Sequence, residues 1–394
     1  MTARWQWFVP GRLEVFGKHT DYAGGRSLVA AVPRGISIIA SATDDGWVSL
    51  DDVSTGQQAV IPVDTDAKEL SAGWQRYVAT VVRRLSRNFP GATLSTRIEL
   101  TSNLPRAAGI SSSSALVIAV AEALIMRAEI EQRPEWRDTI HTIEDRASYF
   151  GCIENGASFG ALTGDAGVGT HGGSEDHAAI LTSREGWLQQ FSFAPLHRDR
   201  AVRMPEGWTF VVGCTGVRAR KTGDARAAYN NAAALAARVA EAWRVAHPGD
   251  IRPLGQLARD GADLASLSLT PELRARLDHF LAEDVRVVRA ADAFERADVE
   301  EIGRLSEASQ RDAERLLRNQ VPESTSMAWL AREHGAAASC GFGAGWGGSV
   351  WALVKFAEAR RFLDVWLGAY RQRHPHLSSE GFIAPPAAGL EIRR

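Results

Sequence analysis

Read by its apolar spacing, the chain begins as strands. Trp5–Val9, Arg12–Phe16, Ser27–Val32 and Ile36–Ala42 are short, rich in β-formers and separated by Gly, Pro and Asp. Ser71–Asn88 then shows helical periodicity through Trp74, Tyr77, Val78, Val81 and Leu85, and Thr93–Thr101 alternates as a half-buried strand does. After the turn Asn103-Leu104-Pro105, a serine run opens an apolar helix from Ala115. Further helices are predicted over Pro134–Tyr149 and Cys152–Leu162, followed by a glycine-dense loop, Gly164–Gly173. Strands resume at His177–Leu181, Trp187–Phe193 and Trp208–Cys214. Asp224–Gly335 reads as almost wholly helical, and a last glycine loop, Gly341–Gly348, precedes a helix over Ala357–Arg371. Early strands, late helices and mixed elements throughout predict an α+β chain of two lobes, residues 1–185 and 186–394.

Composition narrows the function. The 394 residues are 45% hydrophobic and 23% charged, and that length exceeds what one core usually supports. A net charge of −2 with both signs interspersed excludes the basic surface that a nucleic-acid backbone demands. The apolar stretch Ala115–Met126 is interrupted by Glu122 and too short to span a bilayer. Met1–Pro10 has no basic start followed by an apolar run, so no signal peptide is expected. Cys152, Cys214 and Cys340 lack the spacing of a disulfide framework or a zinc site, and a reducing cytoplasm fits. Of 45 basic residues only Lys18, Lys68, Lys221 and Lys355 are lysines, which draws attention to each.

The run from Leu104 to Ala115 (LPRAAGISSSSA) lies between a strand and a helix. Backbone amides at such a helix start have no partner within the helix and can receive phosphate oxygens. Taken alone, the run reads equally well as a helix with a serine N-cap. The chain carries no G-x-x-x-x-G-K-[ST] motif, so any nucleotide site is built another way. Near the N-terminus, Pro10–Gly25 (PGRLEVFGKHTDYAGG) packs Arg, Lys, His and Asp around one turn. Near the C-terminus stands Gly343–Ser349 (GAGWGGS), alone only a glycine-rich loop.

In this order the three motifs resemble those of the GHMP kinase superfamily. The first is similar to the galactokinase signature G-R-x-N-L-I-G-E-H-T-D-Y-x-x-G, the second to P-x-G-x-G-L-S-S-S-A and the third to G-A-G-F-G-G-C. Val217-Arg218 with Tyr229-Asn230, and Ser306–Glu323, carry weaker similarity between them. The resemblance implies an N-terminal mixed-sheet lobe and a C-terminal ferredoxin-like lobe, with ATP and substrate meeting between them. It implies an ATP- and magnesium-dependent kinase of a sugar, acting on the anomeric (C1) hydroxyl of galactose or a galactose-like sugar. Nothing in the sequence specifies an oligomeric state.

Carried residue by residue, the resemblance makes Asp176, in the run Gly172–His177 ahead of the expected strand, the proton acceptor. It makes Arg12 the cation beside the reacting hydroxyl. Pro105, Gly109, Ser111, Ser112, Ser113 and Ser114 would line the ATP phosphates, with Ser113 and Glu154 as magnesium ligands. Gly343, Gly345, Gly347 and Gly348 would close over the phosphate or sugar side. His19, Asp21, Gly173 and Tyr229 would hold the sugar. Lys18 stands where the signature has a glutamate that reaches the C6 hydroxyl, and Glu14 where it has asparagine, with no role assigned to it. An ammonium there suits a C6 carboxylate, as in a galacturonate-type uronic acid; equally, Lys18 pairs with Glu14 or another acid and the substrate stays galactose. A sugar sensor without turnover is the reading from another class. Arg12, Asp176 and the serine loop speak against it, while Lys18, Ala107 and His177 depart from the signature.

Overall fold

The separate strands expected at the start of the chain fuse into two long ones. The computed structural model describes residues 4–63, 73–105, 108–217 and 224–393. In it β1 (Arg4–Phe16) and β2 (Arg26–Ala42) pair antiparallel from Arg4↔Ser41 to Phe16↔Leu28. Pro10 and Gly11 do not break β1, because register shifts between Pro10 and Arg12 and between Glu14 and Phe16 absorb the irregularity. A hairpin of β3 (Trp47–Asp52) and β4 (Gln57–Pro62) follows, then α1 (Gln75–Asn88), and then β5 (Thr96–Ser102) between β2 and β3. The β3–β5 pair is parallel and the other pairs of this sheet are antiparallel, so the sheet is mixed.

Helix α2 (Ser112–Arg127) is buried on nearly every side, against β1, β2 and α1 among others, as its apolar run requires. The helix expected over Pro134–Tyr149 is two: α3 (Pro134–Arg137) and α4 (Ile143–Asn155). Thr142 and Asp145 form a capping box that starts α4 afresh, and Gly156, left-handed at φ 88°, ends it before the helix expected to Leu162. The expected strand His177–Leu181 is instead the helix α5 (Glu175–Thr182). Its residues His177–Ile180 are buried consecutively rather than alternately, and Glu175 and Asp176 suit a helix's first turn. Strands β6 (Trp187–Ser192) and β7 (His197–Arg203) extend the first sheet through β2, so that sheet runs past residue 185.

β8 (Trp208–Cys214) opens the second sheet, and the helical region then runs through α6 (Asp224–Ala246), α7 (Leu254–Arg259), α8 (Pro271–Glu295), α9 (Val299–Asp312) and α10 (Pro322–Glu333). β9 (Ala338–Phe342), β10 (Ser349–Lys355), α11 (Ala359–Arg373) and β11 (Glu380–Ile383) complete a four-stranded antiparallel sheet ordered β11-β8-β10-β9. The last strand, β12 (Glu391–Arg393), returns to pair with β1. The lobes share a core: Phe16 of the first sheet meets Trp351 of the second edge-on at 6.1 Å. No helix among the described residues is long and apolar enough to cross a membrane.

Candidate active site

The three motif loops converge between the two sheets. Arg12 Nη1 donates to the Gly109 carbonyl at 2.6 Å, and Ser349 Oγ donates to the Ala108 carbonyl at 2.6 Å, tying the first and third motifs to the second. The glycine loop comes so close that a Cβ on Gly343 would stand 2.7 Å from the Gly109 oxygen. Each loop also holds a non-glycine residue in the left-handed region: His19 at φ 58°, Ser111 at 56° and Trp346 at 52°. Such residues persist where surrounding contacts dictate the backbone. Ser111 makes no side-chain cap, so the first amides of α2 keep their donors for something else.

Around that helix start the charged groups form a chain. Arg12 Nε donates to Asp176 Oδ1 at 2.8 Å and lies 3.6 Å from Glu175 Oε1. Burial works against the Arg12 charge, but Asp176, Glu175 and Glu14 raise its pKa further, so it stays cationic. Ser114 Oγ lies 2.8 Å from Glu154 Oε2 and 3.0 Å from Asp176 Oδ2, a donor shared by two carboxylates. The expected magnesium ligand was Ser113; the hydroxyl beside Glu154 is that of Ser114. Ser114 stands where the signature has alanine, and it lines the cavity. His177 Nε2 is 3.2 Å from Glu154 Oε2. Burial, then Glu14 and Asp21, drive the Glu175 pKa well up, only partly offset by Arg12, which favours its neutral form.

The opposite wall of the cavity carries His19, Asp21, Gly173 and Tyr229. His19 is fixed at both ring nitrogens, Nδ1 with the Tyr22 hydroxyl at 2.8 Å and Nε2 with the Ala344 carbonyl at 3.0 Å. Tyr229 stands 5.2 Å from the His19 ring, centroid to centroid. Gly173 lets Asp21 sit close, since a Cβ would lie 2.4 Å from its Oδ2 and displace that carboxylate. Burial, then Asp176, push the Asp21 pKa up. Lys18 is not in this wall. Its side chain is fully buried behind it, Nζ donating to Ser309 Oγ at 3.1 Å and lying 4.0 Å from Glu283 Oε1. The reading of Lys18 as a substrate contact is therefore corrected: an ammonium seeks a buried acid, and α8 and α9 supply one behind the turn. Burial opposes its charge, yet Cys340, Glu283 and Glu14 raise its pKa above the ordinary lysine value.

The galactokinase galactose-binding signature matches residues 2–42, the N-terminal domain of GHMP kinases matches 76–146, and their C-terminal domain matches 290–372. The chain belongs to the GHMP kinases. Among its relatives, the galactokinase of Lactobacillus helveticus is 25% identical over 90% of this chain and 87% of that protein. The galactokinase of Streptomyces coelicolor is 28% identical over 89% of this chain and 84% of that one. The crystal structure of Lactococcus lactis galactokinase complexed with galactose superposes with a TM-score of 0.81, covering 99% of this chain and 95% of that chain. At 20% identity that likeness speaks for the fold. The protein is thus a galactokinase-like phosphotransferase with an alcohol group as acceptor.

In this kinase a second cleft, of about 560 Å³, runs from the serine loop outward between Leu104, Pro105 and Ala108 and Val217, Gly348 and Leu377. Gly345 backs onto Asn319 and Gly347 onto Val217, so the glycine loop is braced by its neighbours. Among the described residues no three His, Cys, Asp or Glu side chains form a group that holds a metal. The hard oxygens of Ser114 and Glu154 nevertheless fit magnesium, which commonly takes one or two protein oxygens and fills its shell with phosphate and water.

The sequence motifs missed two groups. Glu14 lines the cavity and is only 3% exposed. Arg276, from α8, donates to the His19 carbonyl at 2.6 Å and to the Tyr22 hydroxyl at 3.1 Å, holding the turn from behind. No motif surrounds Arg276, but Glu14 had a signal, a charged residue two places from Arg12 on one strand face. Ala107 and Arg218 lie outside the described residues.

Proposed function

We propose that this kinase transfers the terminal phosphoryl group of ATP, with magnesium, to the anomeric (C1) hydroxyl of galactose or a galactose-like sugar. The observation that carries the proposal is the chain Arg12–Asp176–Ser114–Glu154 at the open start of α2, facing His19, Asp21 and Tyr229 across one cavity. The galactokinase relatives support the sugar, and the cleft beside Pro105 has the position and size for a nucleotide base and ribose.

The chemistry follows from position. Asp176 takes the hydroxyl proton as the new O–P bond forms, a late event in the loose transition state of phosphoryl transfer. Arg12, hydrogen-bonded to that same carboxylate, orients it and offsets charge on the transferred group. The free amides of Ser112–Ser114 receive phosphate oxygens, and the dipole of α2 adds to their pull. Ser114 and Glu154 would hold magnesium, which would supply positive charge against that of the phosphates.

The test is ADP release with galactose, other hexoses, pentoses and galacturonate, with and without magnesium. Galactose is the expected best substrate, with a product that no longer reduces copper(II), because phosphorylation at C1 blocks ring opening. A reducing product moves the reaction to another hydroxyl. Tight sugar and ATP binding without ADP release restores the sensor reading.

A further inference from the structure

Two acids and a base occupy the back of the sugar cavity, and they do not share partners equally. Glu283 Oε1 accepts from Gly17 N at 3.0 Å and Ser309 Oγ at 2.9 Å, and its Oε2 accepts from Arg286 Nη1 at 3.0 Å. Lys18 turns to that side, onto Ser309 and toward Glu283. Glu14 is the remaining acid. It lines the cavity, its Oε1 is buried without a hydrogen bond, and neighbouring Arg12 donates instead to Asp176 and Gly109. A buried carboxylate oxygen lacking a donor is costly. In native proteins such an atom calls for an explanation, and a ligand hydroxyl supplies one.

Position matters as much as the missing donor. The galactokinase signature carries asparagine and then, four residues on, glutamate; this chain carries Glu14 and Lys18. The acid and the neutral place have not simply swapped, because position 18 has become a cation withdrawn from the cavity. The carboxylate available to a substrate is therefore supplied from β1, on the same strand as Arg12, with Lys18 behind it as counter-charge. Among the described residues lining the cavity, Arg12 stands against Glu14, Asp21, Glu154 and Asp176, beside a Glu175 held toward its neutral form.

We propose that Glu14 is a specificity-determining residue whose carboxylate accepts a hydrogen bond from a hydroxyl of a neutral sugar and turns away sugars that carry a carboxylate. This inference rests on the sugar-kinase reading. It reverses the preference that a lysine at position 18 suggests on sequence grounds: the ammonium is out of reach, and a uronic acid would meet an acidic wall.

The experiment is a cycle between one side chain and one hydroxyl. Wild type and Glu14→Gln are compared for kcat and KM with galactose, its monodeoxy derivatives and galacturonate. Glu14→Gln is expected to raise the galactose KM ten- to a hundredfold, the usual weight of a hydrogen bond to a charged group, with kcat changed less and the ATP KM unmoved. One monodeoxy sugar that is poor for wild type should lose nothing further in Glu14→Gln, which identifies the hydroxyl that Glu14 reads. Penalties that multiply independently at every position overturn the contact, and wild type preferring galacturonate overturns the exclusion. Wild type inactive on every sugar sinks the sugar-kinase reading and this inference together; wild type active with independent penalties sinks this inference alone. Should Glu14→Gln fail to fold, Glu14→Asn, the signature's own residue, carries the same cycle.

Discussion

The two walls of the cavity follow the family signature to different depths. On the phosphate side Arg12, Asp176, Ser114 and Glu154 come from four distant segments and meet through hydrogen bonds of 2.8 to 3.0 Å. On the sugar side the backbone of the signature is kept, with His19 left-handed and Asp21 against Gly173, while the charges at positions 14 and 18 are rearranged. The difference teaches that a signature transmits where the chain runs more reliably than where a long side chain points. A serine or aspartate has little choice of direction. A lysine has four carbons with which to reach a better partner, and here that partner is an acid on α8, more than 260 residues away.

The largest expected effect tests the phosphate wall. Asp176→Asn should lower kcat by about 10²-fold or more with a much smaller change in sugar KM, the pattern of a lost proton acceptor. Glu175→Gln, by contrast, should cost far less, because burial among like charges already favours its neutral form. Equal losses in the two variants would make the pair, rather than Asp176, the acceptor.

The next effect belongs to the sugar wall and is one of stability. Lys18→Met removes the counter-charge of Glu283 and Glu14 and should destabilise the fold by about 3 kcal/mol, the scale of breaking a buried pair. Adding Glu283→Gln should recover part of that loss, which unfolding of the two single variants and the double variant would measure. A Lys18→Met protein as stable as wild type, but with a changed choice of sugar, would return Lys18 to the pocket.

Much of this was legible in the sequence. The α+β class and the three loops follow from apolar spacing and glycine placement, and Arg12, His19, Asp21, Gly173 and Tyr229 line one cavity. Asp176 reached the same cavity from a helix rather than from the turn before a strand, because four consecutively buried residues allow either element and the neighbours of α5 decide. Ser114, which stands where the signature has alanine, is the serine whose hydroxyl meets Glu154, a contact that only the turn of α2 reveals. Lys18 was illegible for a different reason: its direction depends on Glu283 and Ser309, whose segments carry no motif.

The smallest effect sharpens the contrast inside the sugar wall, where one lysine faces two carboxylates with opposite titration. Burial raises both pKa values. At Glu283 the charges of Lys18, His279 and Arg286 and the Gly17 amide overcome it and hold the pKa at about 2. At Glu14 Lys18 and Arg12 offset burial only in part, Glu283 and Asp176 oppose them, and the pKa rises from 4.5 to about 7. The sign follows from proton counts. Between pH 4.5 and 7 the folded protein holds the Glu14 proton that the unfolded chain has released, so this residue's contribution to stability falls across that window and stays low above it. Glu283 acts oppositely, stabilising above its unfolded value and losing that contribution as pH falls toward 2. Glu14→Gln removes the first term alone. Its melting temperature relative to wild type should therefore rise between pH 5 and pH 8, by a few degrees, while its sugar KM is worse than wild type at pH 8, where Glu14 is ionised, and closer to it at pH 5. That pairing, a more stable protein that binds its sugar less well, is what a residue retained for binding at the expense of the fold produces. A melting-temperature difference that is flat across the window would mean that Glu14 is already satisfied within the protein, and would leave the sugar wall no different in kind from the phosphate wall.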